Sequence, residues 1–219
     1  TTRERPWGAL YAVKRDGSDG DRHPLAGEWL EIGGAGTGAG TASADLVFDD
    51  RYLASRHARL EHQPGGCRIV PIDLLNGVYR RVRAPHVIPS GTQILIGREL
   101  RRFELVEDSE REVPPLQRFG VTMVGAPPRA PWGRLLHVLA SGGLRDVRHL
   151  QGAEVVLGRE EGDIVFRDDE FLSRRHAALK WQGGQCVLDD LKSSNGTFLR
   201  LRGPQPGPML VDDLKAEFV

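Results

Sequence analysis

LSRRHAALKWQGGQCVLDDLKSSNGTFL, residues 172–199, is the stretch whose reading decides the fold, because the chain has already spelled a version of it. Residues 53–80 read LASRHARLEHQPGGCRIVPIDLLNGVYR. At a constant offset of 119, His57 falls on His176, Cys67 on Cys186, and Asn76-Gly77 on Asn195-Gly196, with no gap. Upstream the offset becomes 125: Pro6-Trp7-Gly8 lies over Pro131-Trp132-Gly133, and Ile32-Gly33 over Leu157-Gly158. The Gly-rich segment Gly34 to Ala44 absorbs the difference. An internal repeat of this length means tandem domains. Residues 1–108 are expected to form the first domain, 109–130 a charged, Pro-rich linker, and 131–219 the second. The linker's middle, Phe119 to Val124, has the composition of an added strand.

Within each repeat the apolar runs are short and end at turn residues. ALYAV, WLEI, DLVF, QILI and RRFELV are examples from the first; AEVVL, DIVF, HAALKW, QCVLDD and GTFLRL come from the second. Several alternate apolar and polar residues, as half-buried strands do, and none holds a helical period for three turns. The 27 glycines and 14 prolines favour turns over long helices. The expectation is an all-β protein of two tandem β-sandwiches, with functional residues in loops at one end of each. The first repeat closes with IPSGTQILIGRELRRFELVE, the expected final hairpin of its sandwich. The second ends in GPQPGPMLVDDLKAEFV, which has no clear counterpart to that hairpin. Its final strand pair is therefore expected to be shortened, replaced or missing.

Bulk charge narrows the function. Lys+Arg and Asp+Glu both number 30, so no strong field exists for duplex DNA or an anionic membrane. No apolar run approaches the roughly 18 residues needed to span a bilayer. The start, TTRERPWG, has no signal-peptide core, so a cytoplasmic protein is expected. Cys67 and Cys186 lie far apart in strand-like runs and read as small core residues rather than a disulfide or metal pair. GGAGTGAG, Gly33 to Gly40, is not a phosphate-binding loop: no Lys-Ser/Thr follows it and no helix pattern begins after it.

The chemistry gathers in three loops of the second repeat. They are Gly158-Arg159-Glu160, Ser173-Arg174-Arg175-His176 and Ser193-Ser194-Asn195-Gly196-Thr197. The set offers guanidinium forks, hydroxyls and an amide. It contains no acid/base carboxylate pair, no nucleophile with its base and no His/Cys cluster, so neither catalysis, a metal nor a cofactor is expected. Arginine forks with hydroxyl donors make a receptor for a tetrahedral oxyanion such as phosphate.

The order GR, SRxH, SSNGT on short strands resembles the forkhead-associated (FHA) domain. The resemblance covers nearly all of the second repeat and, more weakly, the first. It implies an eleven-stranded β-sandwich that binds phosphothreonine peptides, downstream of a Ser/Thr protein kinase. By that resemblance Arg159 contacts the phosphate, and Ser173 donates its hydroxyl to it. Arg174 reaches the phosphate or the peptide backbone. Ser194 holds the peptide or phosphate side, and Asn195 bonds the peptide main chain. Gly158, His176, Gly196 and Thr197 are architectural. Arg175 is read as a surface residue. In the first repeat Gly34 stands for Arg159, Ala54 for Ser173, Ser55 for Arg174, and Leu75 for Ser194; Asn76 alone remains. That repeat is expected to keep the fold and not the ligand. The competing reading is a phosphate-independent scaffold or self-association module that uses both sandwiches.

Overall fold

A computed structural model describes residues 5–14, 18–35, 44–111, 117–122 and 130–204. Most of the Gly-rich segment (36–43), parts of the linker and the tail 205–219 lie outside them. The described chain is almost entirely short strands, with one helical turn at Asp108–Arg111. By contact it divides into two compact units. One runs to Arg81 and resumes at Arg200; the other is Val82–Leu199.

In the first unit, Gly8–Val13 pairs antiparallel with Asp19–Leu25. A four-stranded sheet follows in the order Leu46–Phe48, Trp29–Gly34, Ala58–Gln63, Gly66–Pro71. Leu10, Leu25, Leu30, Ile32, Leu60 and Cys67 form its core.

The second unit is a two-sheet sandwich. One sheet orders Ile164–Val165, Glu154–Gly158, Ala177–Gln182, Gln185–Asp190 and His86–Ile88. In the other, Leu144–Leu150, Gly133–Val138, Glu99–Leu105, Gln93–Ile96 and Thr197–Arg200 lie side by side. Alternation places Cys186 and Leu188 inward from the first sheet, and Ile94, Ile96 and Phe103 inward from the second. Leu135, Leu150, Leu157 and Leu179 complete a core sealed to 1% exposure or less.

The hairpin expected to close the first sandwich is built into the second. Glu99–Leu105 pairs with Gly133–Val138 over five residues, from Arg101↔His137 to Leu105↔Gly133. Gln93–Ile96 pairs with Thr197–Arg200, and Ile88 with Cys186. Both sheets of the second unit are thus completed by residues of the first repeat. Among the described residues, strands of the first repeat stand beside Gly133–Val138, Gln185–Asp190 and Thr197–Arg200; the second repeat's tail, 205–219, for which a shortened, replaced or missing strand pair is expected, lies outside them. The physical reason for the observed pairing is apolar content. QILI and RRFEL supply Ile94, Ile96 and Phe103, which are buried in the core of the second unit. The repeat boundary and the boundary of compactness therefore do not coincide.

The linker's middle forms a hairpin rather than a single strand, Gln117–Arg118 against Val121–Thr122. Phe119 (φ 55°) and Gly120 (φ 77°) make its two-residue turn, both left-handed as a type I′ turn requires. Cys67 and Cys186 are buried free thiols, and burial pushes them up to about 11 and about 12 respectively. Among the described residues no helix is long and apolar enough to cross a membrane.

Candidate functional site

The three loops of the second repeat are stitched together before any ligand arrives. Strand Glu154–Gly158 ends where Gly158 passes under the next loop; a Cβ there would lie 2.1 Å from the Arg174 carbonyl oxygen. Only glycine permits that approach. The Arg159 N–H then donates to the Ser173 carbonyl at 2.9 Å, and the Glu161 N–H to the Arg174 carbonyl at 3.0 Å.

His176 braces all three loops from beneath and is fully buried. Its N–H donates to Leu157 O at 2.8 Å. Its Nδ1 accepts the Ser173 N–H at 3.1 Å, and its Nε2 lies 2.9 Å from Gly196 O. Those partners fix one neutral tautomer: Nδ1 accepts and Nε2–H donates. Protonation would aim two N–H groups at each other, and burial lowers the imidazole's affinity for a proton. The unfolded chain takes up this proton near pH 6.5, whereas the folded chain resists to lower pH. The unfolded state therefore binds more protons in that window. Stability is expected to fall as pH drops below about 6.5, by up to about 1.4 kcal/mol per pH unit. Chemical denaturation at pH 7.5 and 5.5, with an NMR titration in which His176 takes up its proton at lower pH than an exposed imidazole, checks this.

The third loop is organised by a residue that sequence reading did not single out. Asp190 accepts the Ser193 N–H at 2.9 Å, the Ser193 hydroxyl at 2.7 Å and the Thr197 hydroxyl at 2.6 Å. The Ser193 oxygen in turn accepts the Gly196 N–H at 2.9 Å. Ser193 and Thr197 are buried in this network, so of the serine pair only Ser194 faces outward. The signal was present as Asp-x-x-Ser, a spacing that lets an Asp side chain cap the following turn.

The expected ligand residues meet at one rim. Ser173 Oγ accepts the Ser194 N–H at 3.0 Å, which leaves its own hydrogen to donate outward. Asn195 Nδ2 donates to Phe171 O at 2.8 Å, so the exposed amide is held in place with its carbonyl oxygen turned from that bond. Arg159 and Arg174 are linked through acidic neighbours. Arg159 Nη2 donates to Glu160 Oε1 at 2.8 Å, and Arg174 Nη2 to Glu161 Oε1 at 2.7 Å. Arg175, read from sequence as a plain surface residue, lines a cleft of about 290 Å³ with Val156, Glu161, Gly162 and Asp163. Among the described residues no His/Cys/Asp/Glu group could hold a metal ion.

The first repeat keeps the bracing nearly bond for bond. His57 Nε2 lies 2.9 Å from Gly77 O, Asn76 Nδ2 donates to Tyr52 O at 2.7 Å, and Gly34 N to Ala54 O at 2.8 Å. A Cβ on Gly33 would lie 2.1 Å from Ser55 O, the same figure as at Gly158. Its third loop is capped differently: Asp73 accepts the N–H groups of Leu75, Asn76 and Gly77. Leu74 and Leu75 stand 80% and 75% exposed where the second repeat has its serine pair.

Comparison with known proteins joins this geometry to a family. The sequence model of the FHA domain matches residues 32–97 and 155–209, together more than half of the chain. Among curated proteins, FHA domain-containing protein FhaB of Mycobacterium tuberculosis is 35% identical over 79 residues, covering 36% of this chain and 50% of that protein. The protein of the same name from Mycolicibacterium smegmatis is 35% identical over 63 residues, 28% of this chain and 41% of the relative. The chain thus spans half or less of the length of these relatives. No solved structure matches it significantly.

Proposed function

Because this chain belongs to the FHA domain family, we propose that it is a phosphothreonine-peptide-binding adaptor whose working site lies in the second repeat. The observation that carries the reading is the rim itself. The Ser173 hydroxyl, Ser194 and the Asn195 amide are held by bonds that leave outward donors and acceptors for a ligand, and Arg159 and Arg174 stand beside them on partly solvated ion pairs with Glu160 and Glu161. A phosphothreonine brings about −1.5 to −2 charges and three strong acceptor oxygens. Arg159 and Ser173 supply donors to that group, Arg174 adds a second guanidinium, and the Asn195 carbonyl accepts from the peptide main chain. Such a ligand needs no deep pocket, since an extended peptide is held by its backbone and one modified side chain.

In the first repeat Gly34, Ala54 and Leu75 remove the charge partner and two hydroxyls, and we assign it no phosphate binding. On this reading the ligand is a product of a Ser/Thr protein kinase, and we propose that the adaptor works in the cytoplasm. We read the chain as a binding module rather than an enzyme, in keeping with its FHA matches.

The test is a degenerate peptide pool with a fixed central phosphothreonine, run beside phosphoserine and unphosphorylated pools against the intact chain. Selective retention of the phosphothreonine pool is expected. Equal retention of all three would replace this reading with the phosphate-independent scaffold.

A further inference from the structure

Glu160 stands between the two arginines of the rim. Glu160 Oε1 accepts from Arg159 at both Nη2 (2.8 Å) and Nε (3.2 Å). Its other oxygen, Oε2, lies 3.1 Å from Arg174 Nε. A single carboxylate therefore spans the two guanidiniums that the proposed function gives to the phosphate. It also takes the Nε–Nη2 edge of Arg159, the face with which a guanidinium grips an oxyanion in bidentate fashion. Glu161 is different: its carboxylate meets Arg174 alone, at 2.7 Å.

We propose that Glu160 is an internal competitor for the anion site, an intramolecular carboxylate that an incoming phosphate must displace. The inference rests on the phosphothreonine reading and deepens it. Both partners are partly solvated, with side-chain exposures of 35% for Arg159 and 48% for Glu160, so the clasp is weak and opens readily. Every entering anion must open the same clasp. A ligand with one negative charge exchanges with Glu160 like for like and gains little. A phosphate dianion brings the additional charge and the third oxygen that tip the exchange. The side chain thus sets a charge threshold for entry rather than a block.

The experiment titrates the intact chain and three variants with the fixed-phosphothreonine pool, and with the same pool carrying Asp at the central position. Glu160→Gln is expected to tighten the phosphothreonine pool about three- to tenfold, and to tighten the Asp pool by no more than that factor, since both ligands must open the same clasp. Glu160→Asp keeps the charge but is one methylene too short to span both arginines, and should give an intermediate gain. Glu161→Gln, which removes an equal charge outside the bridge, should change either affinity less than about twofold. Glu160 is exposed and all variants should melt with the parent chain. Parent-like affinity in Glu160→Gln, or an equal gain in Glu161→Gln, would overturn the clasp while leaving phosphothreonine binding intact. If no variant, parent included, retains the phosphothreonine pool above the unphosphorylated one, the binding reading itself fails and the clasp fails with it.

Discussion

A fragment of residues 131–204, cut where the repeat begins, is expected not to fold, whereas residues 82–204 should fold unaided. The reason lies in four side chains. Ile88, Ile94, Ile96 and Phe103 come from the first repeat and are 2% exposed or less in the core of the second unit. Burial of each contributes about 1.5–3 kcal/mol, so their loss removes about 6–12 kcal/mol. That is the whole stability of an ordinary domain, about 5–15 kcal/mol. Removal also strips one edge from Gly133–Val138, Gln185–Asp190 and Thr197–Arg200 together, and unpaired edges recruit other chains. Amide proton NMR spectra decide it: dispersed for 82–204, collapsed or aggregated for 131–204. A dispersed spectrum from the shorter fragment would show that the hairpin is dispensable and return the boundary to the repeat.

The second large effect is at Arg159. Replacement by Ala should weaken phosphothreonine-peptide binding about ten- to a hundredfold, because charge-assisted bonds of this kind contribute roughly 1.5–3 kcal/mol. Arg159→Lys should recover part of the loss; it restores charge but not the planar fork. Neither change should unfold the protein, since the loop is held by the backbone of residue 159, through its N–H to Ser173 O. In the intact chain no second binding event should surface in the Ala variant, because Gly34 and Leu75 occupy the corresponding places in the first repeat. A titration by calorimetry reads both points. Unchanged affinity would sever the arginine from the ligand, and a residual site of full strength would reveal that the first repeat binds.

These expectations differ in how far the sequence alone could reach them. The loops were legible because their residue types are dictated locally. Gly158 must lack a Cβ to pass 2.1 Å from Arg174 O, and His176 must offer both an acceptor and a donor nitrogen. Such requirements leave a signature at fixed spacing. Strand partnership leaves none. QILI and RRFEL announce which side chains face inward, but the same alternation fits the edge of either sandwich. The prior that neighbours in sequence pair in space assigns them to the first repeat, whereas Glu99–Leu105 pairs with Gly133–Val138 and Gln93–Ile96 with Thr197–Arg200. The Asp190 network lay half-visible as Asp-x-x-Ser. Glu160 was invisible, since a Glu beside an Arg says nothing of where either side chain turns until the loop is built.

The interleaving of Val82–Leu199 within the other unit has a consequence for the order of synthesis. A ribosome makes the strands from Gly8 to Arg81 before the second unit, yet Leu201, whose N–H donates to Val78 O, emerges only after the entire second unit. The unit begun before the other receives Leu201 only after it. While translation proceeds, Gly66–Pro71 and its neighbours wait through more than a hundred residues for the chain to return, and the unit carrying the binding rim is finished in the meantime.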